Sequence, residues 1–385
     1  MQISNEIKYI GVNDHINTLF EGQYSVPNGM SYNSYIIIDE KIAVIDTVDG
    51  GFTAPWLENL ESALGGRKPD YLVVHHMEPD HSANIAVFME RYPEAVIVSS
   101  QKAFGMMKNF FGTDYLDRRI VVGENDTLSL GSHTLTFITA PMVHWPEVIM
   151  SYDSTDKVLF SADAFGKFGA LDSDDEEWEN EARRYYFGIV GKFGMPVSAV
   201  LKKAAKLDIA KICPLHGPVL SENIPHFIDL YSKWAAYEPE INGVLITYTS
   251  VYGNTRKAAL LLEEKLAAKG CPVISMDLAR CDMSEALAMA FKYRKLVCAS
   301  TTYNGGVFPF MREFITDLAE HGYKSRQIYL IENGSWAPTA AAVMKKLFEV
   351  CKDVNISENI IRINSVVSKE NIAQTEALAE EIAAL

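Results

Sequence analysis

The chain has 385 residues, and its 50 acidic side chains outnumber its 35 basic ones, which gives a formal net charge of −15. So acidic a chain is a poor binder of nucleic acid and of anionic membranes, and no apolar run reaches the length of a membrane span. The N-terminal residues lack the basic start and apolar run of a signal peptide. We therefore expect a soluble, cytoplasmic protein with two domains and neither a nucleic-acid nor a membrane partner.

Short β-branched runs separated by polar residues fill the chain from Ile7 to about Lys157. The first batch of predicted strands is SYNSYIIID, KIAVIDTV, YLVVHH and AVIVSS, with helices over Phe52–Leu64, Ser82–Arg91 and Gln101–Phe111. A second batch, TLSLGS, HTLTFITAP and EVIMSYD, is typical of antiparallel strands, and VLFSADAFG follows as one more. Two batches of strands with helices outside them predict a sandwich of two sheets covered by helices.

The pattern changes after a predicted helix over Glu222–Glu238. Five apolar strands alternate with helical stretches in the second half: GVLITYTS, PVISMDLA, KLVCAST, QIYLIENGS and IIRINSVVS. This alternation indicates an all-parallel, doubly wound sheet. We place the domain boundary near Ile241–Gly243, which gives predicted domains over residues 1–241 and 243–385.

Five cysteines are present, and none forms a C-x-x-C pair: Cys213, Cys271, Cys281, Cys298 and Cys351. Their spacing excludes a four-cysteine zinc knuckle, a rubredoxin module and a conventional iron–sulfur cluster. An odd number of cysteines without an export signal predicts free thiols. Any redox chemistry must therefore use other cofactors.

The strand YLVVHH ends in a group of potential metal ligands, His76, Glu78, Asp80 and His81. In an extended chain, residues two apart point the same way, so His76 and Glu78 can reach one metal ion. The turn at Pro79 lets Asp80 and His81 face a second ion. Helix capping is an alternative role for Asp80, but it would not explain the histidines.

Three more candidates also stand at strand ends: His144, Asp163 and His216. Each of them alone fits a structural role. As a set of seven, the residues supply four imidazoles and three carboxylates, which nearly neutralise two divalent cations and leave room for one bridging hydroxide. A carboxylate-rich set without thiolate suits iron or manganese better than structural zinc.

A hydroxyl-rich loop follows the strand GVLITY and precedes a helix that is predicted to open at Arg256. Backbone N–H groups at such a helix start bind anions, and the absence of a Walker A lysine favours a monophosphate. An ordinary strand-to-helix turn is the alternative. Two further loops end the third and fourth strands, where ligands bind in open α/β sheets. The candidate residues are Thr249, Ser250, Tyr252, Gly253, Asn254, Thr255, Thr301, Thr302, Tyr303, Asn304, Gly305, Gly306, Asn333, Gly334, Ser335 and Trp336.

The three loops, beginning with T-S-x-Y-G-N-T, resemble those of the flavodoxin family, which implies FMN with its ring against Tyr303 and Trp336. The pattern H-x-E-x-D-H, followed by His144, Asp163 and an H-G-P turn, resembles the flavodiiron branch of the metallo-β-lactamase superfamily. Ordinary hydrolases of that superfamily have a second histidine where this chain has Glu78. Together the two resemblances cover essentially the whole chain.

The resemblance implies an α/β architecture: an N-terminal αββα metallo-β-lactamase-like sandwich, then a flavodoxin-like domain with a five-stranded parallel sheet. It implies two iron ions. His76, Glu78 and His144 would bind the iron nearer the flavin, Asp80, His81 and His216 would bind the distal iron, and Asp163 would bridge them. The implied reaction is reduction of dioxygen to water, of nitric oxide to nitrous oxide, or both.

The resemblance further implies a head-to-tail homodimer or a dimer of dimers, in which the FMN of one chain serves the irons of the other. Because the sequence ends at Leu385 without a rubredoxin or reductase extension, we expect a separate electron donor, rubredoxin in most relatives and a reduced deazaflavin in some archaeal ones. The sequence does not distinguish dioxygen from nitric oxide as the substrate.

Two alternatives stay open at this point. One is a binuclear metallohydrolase fused to a flavodoxin electron carrier, and the other is a flavin electron shuttle with a relic metal site. Among the remaining histidines, His75 is expected on the opposite face of its strand, pointing away from the ligand group. His15, His133, His226 and His321 are expected in loops or on helices without ligand-rich neighbours. Tyr185, Tyr186 and Phe187 are expected in the core or in a pocket wall, and the acidic run Asp172–Glu177 in a solvated turn.

Overall fold

The computed structural model describes residues 1–173 and 178–384, so most of the acidic run Asp172–Glu177 lies outside the described residues. The chain forms two compact units, Met1–Ser232 and Lys233–Leu385. The predicted domain boundary near Ile241–Gly243 lies shortly after this division and stays a prediction. Across the described ranges, no helix combines the length and the apolarity needed to cross a bilayer.

The first unit contains short strands and mostly short helices. Its strands are β1 (Ile7–Tyr9), β2 (Val12–Asp14), β3 (Leu19–Phe20), β4 (Tyr24–Ser25), β5 (Met30–Tyr32), β6 (Tyr35–Ile38), β7 (Ile42–Ile45), β8 (Tyr71–Val73), β9 (Val96–Ser99), β10 (Arg119–Val121), β11 (Thr127–Ser129), β12 (Thr134–Thr139), β13 (Ile149–Asp153), β14 (Val158–Phe160) and β15 (Lys211–Cys213). Its helices are α1 (Thr53–Leu64), α2 (Pro79–Ser82), α3 (Ile85–Arg91), α4 (Gln101–Phe111), α5 (Trp178–Tyr185) and α6 (Gly194–Ala204), and α7 (Ile224–Ala236) runs across the division between the units.

Two sheets form the sandwich that the strand pattern predicts. One has six strands in the order β1-β6-β7-β8-β9-β10, and the other has five in the order β11-β12-β13-β14-β15. Buried side chains from both sheets, including Ile37, Val73, Phe137 and Phe160, form one shared core. Removing these apolar surfaces from water is the main force that holds the two layers together. Strands β11, β12, β13 and β14 each pair antiparallel with the next one in the chain, which confirms the prediction.

Strand direction places the candidate ligands at sheet edges. Strands β7, β8 and β9 run parallel, so their carboxyl ends lie at one edge of the six-stranded sheet. In the five-stranded sheet, β12, β14 and β15 share one direction, because β12 and β14 both pair antiparallel with β13, and β15 pairs parallel with β14. The segments that carry the predicted ligands all leave the carboxyl ends of these strands.

Three predicted elements of the first unit differ from the structure. The run SYNSYIIID, expected as one strand, forms β5 and β6, which belong to different sheets. The helix expected over Ser82–Arg91 is two helices, because α2 ends at Ser82 and α3 begins at Ile85. The side chain of Asn84, at this break, donates to the carbonyls of Val48 and Asp49. The strand expected in VLFSADAFG ends at Phe160, and a turn carries Asp163.

The second unit alternates strands with helices. Its strands are β16 (Ile241–Tyr248), β17 (Val273–Asp277), β18 (Tyr293–Tyr303), β19 (Gly306–Val307), β20 (Gln327–Asn333), β21 (Asn355–Ile356) and β22 (Ile361–Ile363). Its helices are α8 (Asn254–Ala268), α9 (Met283–Lys292), α10 (Pro309–Glu320), α11 (Ala340–Phe348) and α12 (Lys369–Ala384).

The central sheet of the second unit is parallel and follows the order β17-β16-β18-β20, with β21 and β22 both pairing with β20. The predicted five-stranded parallel sheet is therefore confirmed, with its fifth strand in two pieces and the short antiparallel β19 added beside β18. Strand β17 lies on one side of β16, and β18 lies on the other side. The strand order therefore reverses at β16, and the switch point lies between β16 and β18. All five cysteines are free thiols, as predicted.

Candidate metal centre and ligand cavity

Seven predicted ligands come together in the first unit as two adjoining groups. The first group contains His76, Glu78, His144 and Asp163. The Nε2 atoms of His76 and His144 lie 3.2 Å apart, and the Oε2 atom of Glu78 lies 3.3 and 3.0 Å from them. Both rings thus direct the same nitrogen toward one carboxylate oxygen.

The second group contains Asp80, His81 and His216. The Nε2 atoms of the two histidines lie 3.1 Å apart, and each is 3.3 Å from Oδ2 of Asp80. Asp163 stands between the groups. Its Oδ2 atom lies 3.1 Å from Nε2 of His144, and its Oδ1 atom lies 3.2 Å from Nε2 of His81. This carboxylate is therefore placed to bridge two ions.

The spacing of these atoms suits metal ions. Ligands about 2.0–2.2 Å from an ion lie roughly 3 Å from one another, which is the separation found here. Both carboxylate oxygens of Asp163 and of Asp80 are buried and accept no hydrogen bond from any described residue. Buried oxygens without partners are costly, and two divalent cations would supply the missing interactions. The side chains present thus fit a binuclear centre of nitrogen and oxygen ligands.

Buried acceptors orient the histidines from behind. Glu147 Oε1 lies 2.7 Å from Nδ1 of His76 and accepts the backbone N–H of Met77 at 2.9 Å. The carbonyl oxygen of Ser31 lies 2.7 Å from Nδ1 of His216. Partners of this kind fix the ring tautomer so that Nε2 faces the ion. Sequence reasoning missed Glu147, although it follows His144 by three residues.

The chain at the end of β8 is held by Asp46, which has a positive φ of 52°. Its Oδ1 atom accepts the N–H of His75 at 2.7 Å, and its Oδ2 atom lies 2.6 Å from Nδ1 of that ring. The other nitrogen of His75 lies 2.9 Å from Oγ of Ser151. His75 therefore points away from the centre, as predicted, and has a structural role beside His76.

The H-G-P turn is held by Asn33, whose amide donates to the carbonyls of Pro214 and Gly217, both at 2.8 Å. Gly217 has a φ of +78°, and a Cβ at that position would lie 2.7 Å from Cγ of Lys167. A glycine is required there because any other residue would combine strain with a collision. The turn therefore fixes the position of His216.

Charge coupling sets the protonation of the metal-free centre. Burial opposes a charge on His144, but the nearby carboxylates of Asp163 and Glu78 outweigh burial and raise its pKa to about 9. Burial also opposes a charge on Glu78, yet hydrogen bonds from His144 and His76 hold its pKa below the ordinary value. Burial also opposes a charge on Asp163, but the charge of His76 outweighs burial and holds the pKa of Asp163 well below its usual range. Without metal, protons on the imidazoles take the place of cations.

Three further side chains, Glu21, Trp145 and Tyr185, surround the centre. Desolvation beside the centre raises the pKa of Glu21 to about 7, although part of its surface is exposed, and the charge of the neighbouring Glu78 adds to the shift. The Trp145 ring lies 5.2 Å from that of His76. The ring centroids of Tyr185 and His216 lie 5.5 Å apart. The buried hydroxyl of Tyr185 has no hydrogen-bond partner among the described residues. Tyr185 thus forms part of the wall, and Tyr186 and Phe187 are buried beside it.

One expectation about the other histidines is wrong. His133 was expected to lack ligand-rich neighbours, but Glu6, Asp153 and Asp156 surround it. Glu6 is distant in sequence, and the two aspartates lie at the far end of β13 and in the turn after it, so only the folded chain brings them together. His15 and His226 each pair with a single exposed carboxylate, in line with the expectation.

A cavity of about 540 Å³ opens at the carboxyl ends of β16, β18 and β20 in the second unit. Thirteen predicted residues line it: Ser250, Tyr252, Asn254, Thr255, Thr301, Thr302, Tyr303, Asn304, Gly305, Asn333, Gly334, Ser335 and Trp336. The other three predicted residues, Thr249, Gly253 and Gly306, do not line the cavity. Thr249 is buried behind the first loop, where its hydroxyl lies 3.0 Å from that of Ser300.

The cavity has a polar end and an aromatic end. At the polar end, helix α8 begins at Asn254, two residues before the predicted start, and the buried Oγ of Ser250 has no hydrogen-bond partner among the described residues. A phosphate would satisfy that hydroxyl and the free N–H groups of the helix start. At the aromatic end, Tyr303 and Trp336 are exposed, with 46% and 82% of their surface accessible. The cavity therefore fits a flat-ringed monophosphate such as FMN.

The loop after β22 also reaches the cavity and was missed from the sequence. Ser365 lines the cavity, and its backbone exchanges two hydrogen bonds with the side chain of Asn333, at 3.1 and 3.2 Å. The hydroxyl of Thr302 accepts the N–H groups of Thr339 and Ala340, so it holds the start of α11. Asn333 and Thr302 therefore shape the cavity through neighbouring loops.

Comparisons with known proteins agree with this geometry. A family model described as ODP family beta lactamase matches residues 30–217. A nitric oxide reductase of Moorella thermoacetica is 29% identical over 99% of this chain and 98% of its own. An uncharacterised protein of Methanocaldococcus jannaschii is 30% identical over 82% of this chain and 80% of its own.

Solved structures share the complete fold. Rubredoxin oxygen:oxidoreductase of Desulfovibrio gigas superposes with a TM-score of 0.91 at 26% identity, over 100% of this chain and 98% of its own. The flavodiiron protein of Giardia intestinalis gives a TM-score of 0.93 at 24% identity, over 100% of this chain and 95% of its own. The metallo-β-lactamase-like sandwich followed by a flavodoxin-like unit is thus the architecture of this chain.

We predict that Glu147→Gln weakens metal binding at the first group about tenfold, because losing the charge behind His76 makes its Nε2 a poorer ligand. Equilibrium dialysis of metal-free protein against ferrous iron measures the effect. Glu90→Gln, at an exposed position of α3, is the matched control and should bind as the wild type does. Equal affinity in all three proteins would contradict the role given to Glu147.

We also predict that metal binding strengthens with rising pH. Below about pH 9 the imidazole of His144 holds a proton that a metal ion must displace, whereas Glu78 and Asp163, with lowered pKa values, are already charged near neutral pH. The affinity for ferrous iron should therefore rise between about pH 6 and pH 9, with proton release that calorimetry in buffers of different ionisation enthalpy detects. An affinity independent of pH would contradict this protonation scheme.

Proposed function

Since this chain belongs to the flavodiiron protein family, we propose that it reduces nitric oxide, dioxygen or both at a pair of iron ions, with FMN in the cavity of the second unit. The chain is an oxidoreductase, like the nitric oxide reductase and the oxygen oxidoreductase that it resembles. The proposal assigns His76, Glu78 and His144 to one ion, Asp80, His81 and His216 to the other, and Asp163 to both.

The observation that carries the proposal is the carboxylate Glu78 in the first group of ligands. Its oxygen lies within about 3.3 Å of two imidazole nitrogens, in the position where hydrolases of this superfamily have a histidine. A carboxylate-rich donor set favours redox-active iron over zinc. This feature distinguishes the proposed reductase from a metallohydrolase, and no described contact favours the hydrolase or the relic-site alternative.

When bound, two ferrous ions and reduced FMN together supply four electrons, enough to take dioxygen to two waters or two pairs of nitric oxide molecules to nitrous oxide and water. The protein holds and shields the reacting groups. Glu147 and the Ser31 carbonyl orient His76 and His216 from behind. The apolar faces of Trp145 and Tyr185 keep bulk water from the centre. Glu21 holds a proton at the side of the centre near neutral pH, where either reaction consumes protons.

Electron supply and assembly complete the proposal. We propose an external donor of the rubredoxin type, since a similar protein is named a rubredoxin oxygen:oxidoreductase. We also propose that the chain works as a homodimer, alone or as a dimer of dimers, with FMN and irons contributed by different chains. Sedimentation of the flavin- and iron-loaded protein tests the assembly state, and a purely monomeric active protein would contradict it.

Stopped-flow oxidation of the fully reduced protein by each gas tests the function. Flavin and iron are counted first, and the reduced protein is then mixed with nitric oxide or dioxygen. We expect at least one gas to oxidise the reduced protein on the stopped-flow timescale, with nitrous oxide or water as the product and no accumulation of peroxide. Two bound zinc ions with esterase or phosphodiesterase activity, and no reaction with either gas, would replace this proposal with the hydrolase.

The bridging assignment predicts different metal losses in two variants. Asp163→Ala should lose both irons or leave them poorly coupled, because its two oxygens face both groups. His216→Ala should empty the second group preferentially, because its ring faces Asp80 and His81. Iron analysis and magnetic spectroscopy measure occupancy and coupling. Full occupancy with normal coupling in Asp163→Ala would rule out the bridge.

The flavin assignment predicts that Thr255→Val weakens FMN binding about tenfold or more, because a charge-assisted hydrogen bond to phosphate contributes about 1.5–3 kcal/mol. Fluorescence titration of the flavin-free protein measures the change, and the iron content should stay at the wild-type level. Thr316→Val, on the exposed side of α10, is the matched control. Purified protein that carries FAD or no flavin would contradict the assignment.

A further inference from the structure

A second cluster of potential metal ligands lies at the opposite end of the sandwich. One ligand atom from each of Glu6, His133 and Asp156 lies within 4.8 Å of the other two. Glu6 precedes β1, His133 immediately precedes β12, and Asp156 lies in the turn between β13 and β14. Because His144 follows the other end of β12, the length of that strand, roughly 20 Å, separates this cluster from the seven-residue centre.

His133 is buried, with 2% of its surface exposed, and its ring is held between carboxylates. Its Nδ1 atom lies 3.1 Å from Oδ2 of the fully buried Asp153, and its Nε2 atom lies 3.9 Å from Oε2 of Glu6. Nδ1 of His133 has no hydrogen-bond partner among the described residues, although the Asp153 carboxylate lies beside it, so the neighbours of this buried ring do not satisfy it.

The charges of the cluster are not balanced. Within the described part of the chain, no lysine or arginine forms an ion pair with Glu6, Asp153 or Asp156. Oδ1 of Asp153 and Oδ2 of Asp156 are buried and have no hydrogen-bond partner among the described residues. These two buried carboxylate oxygens beside one imidazole therefore lack the positive charge and the hydrogen-bond donors that buried oxygens require.

Hydrogen bonds hold the surrounding turns in place. Asp39 accepts the N–H of His133 at 2.7 Å and the hydroxyl of Ser132 at 3.0 Å. Thr155 donates to the Ser132 carbonyl at 2.8 Å, and Asp153 accepts the N–H of Asp156 at 2.8 Å. These bonds fix the two turns relative to each other, so an ion would find its ligands already positioned. The partly exposed side chain of Glu6 leaves a path for entry from solvent.

We propose that Glu6, His133 and Asp156 bind one divalent first-row transition-metal ion beside the buried carboxylate of Asp153. One imidazole and two carboxylates suit a first-row ion such as manganese or zinc, whereas magnesium and calcium prefer oxygen ligands alone. Zinc is the probe chosen for the test, because it is redox-inert and is counted separately from iron. The two bound carboxylates neutralise the charge of the ion. The ion joins the start of edge strand β1 in the first sheet to two turns of the second sheet, so its role is structural and separate from the iron chemistry.

Zinc binding to the full-length, iron-loaded protein tests the proposal. The protein is dialysed against micromolar zinc chloride, and zinc and iron are counted by mass spectrometry. We expect about one zinc per wild-type chain with unchanged iron, and at least tenfold weaker zinc retention in Glu6→Gln and in Asp156→Asn. Glu40→Gln, at an exposed position in the neighbouring β6–β7 turn, should retain zinc as the wild type does.

Two outcomes would overturn the proposal. If His133 is a protonated imidazole paired with its carboxylates, the wild type will hold no zinc beyond the iron centre. If zinc binds only adventitiously, the wild type and both variants will hold it equally. Thermal unfolding gives a second readout, since zinc should raise the unfolding midpoint of the wild type but not that of Asp156→Asn. Circular dichroism before dialysis establishes that each variant is folded, which the partial exposure of Glu6 and Asp156 favours.

Discussion

Repulsion among closely placed ligand atoms is the constraint on which the first unit depends. Four imidazole nitrogens and the oxygens of three carboxylates face one another at about 3 Å. Such an arrangement persists only when cations, or protons in their place, lie between the atoms. The sandwich supplies the rigid strand ends from which these side chains project, and the packing between its sheets resists the spreading that repulsion would otherwise cause.

The parts of the site that sequence reasoning could predict are local in the chain. His76, Glu78, Asp80 and His81 stand within six residues at the end of one buried strand, so their spacing alone implied a common target. The hydroxyl-rich loop before α8 was equally evident, because a strand, a short polar turn and a helix follow one another directly. Alternating strands and helices also predicted the parallel sheet of the second unit, since that rhythm depends on local hydrophobic pattern.

The parts that sequence reasoning missed depend on contacts between distant segments. Glu147 reaches His76 across the two sheets, and the backbone of Ser31 supports His216 from a strand far earlier in the chain. No pattern of hydrophobic and polar residues in the sequence indicates which carboxylate will contact which imidazole. The break between α2 and α3 and the two-piece fifth strand have the same origin, because tertiary packing decides where a regular element stops.

The aromatic end of the flavin cavity has an optical consequence. Trp56 and Trp234 are fully buried, whereas Trp336 is 82% exposed on the cavity loop. An indole in water emits at longer wavelength than one in an apolar interior, so Trp336 contributes to the red edge of the tryptophan emission, together with the half-buried Trp145 and Trp178. A bound flavin would accept that excitation energy and quench the emission. The protein therefore carries an intrinsic reporter of cavity occupancy that needs no added label.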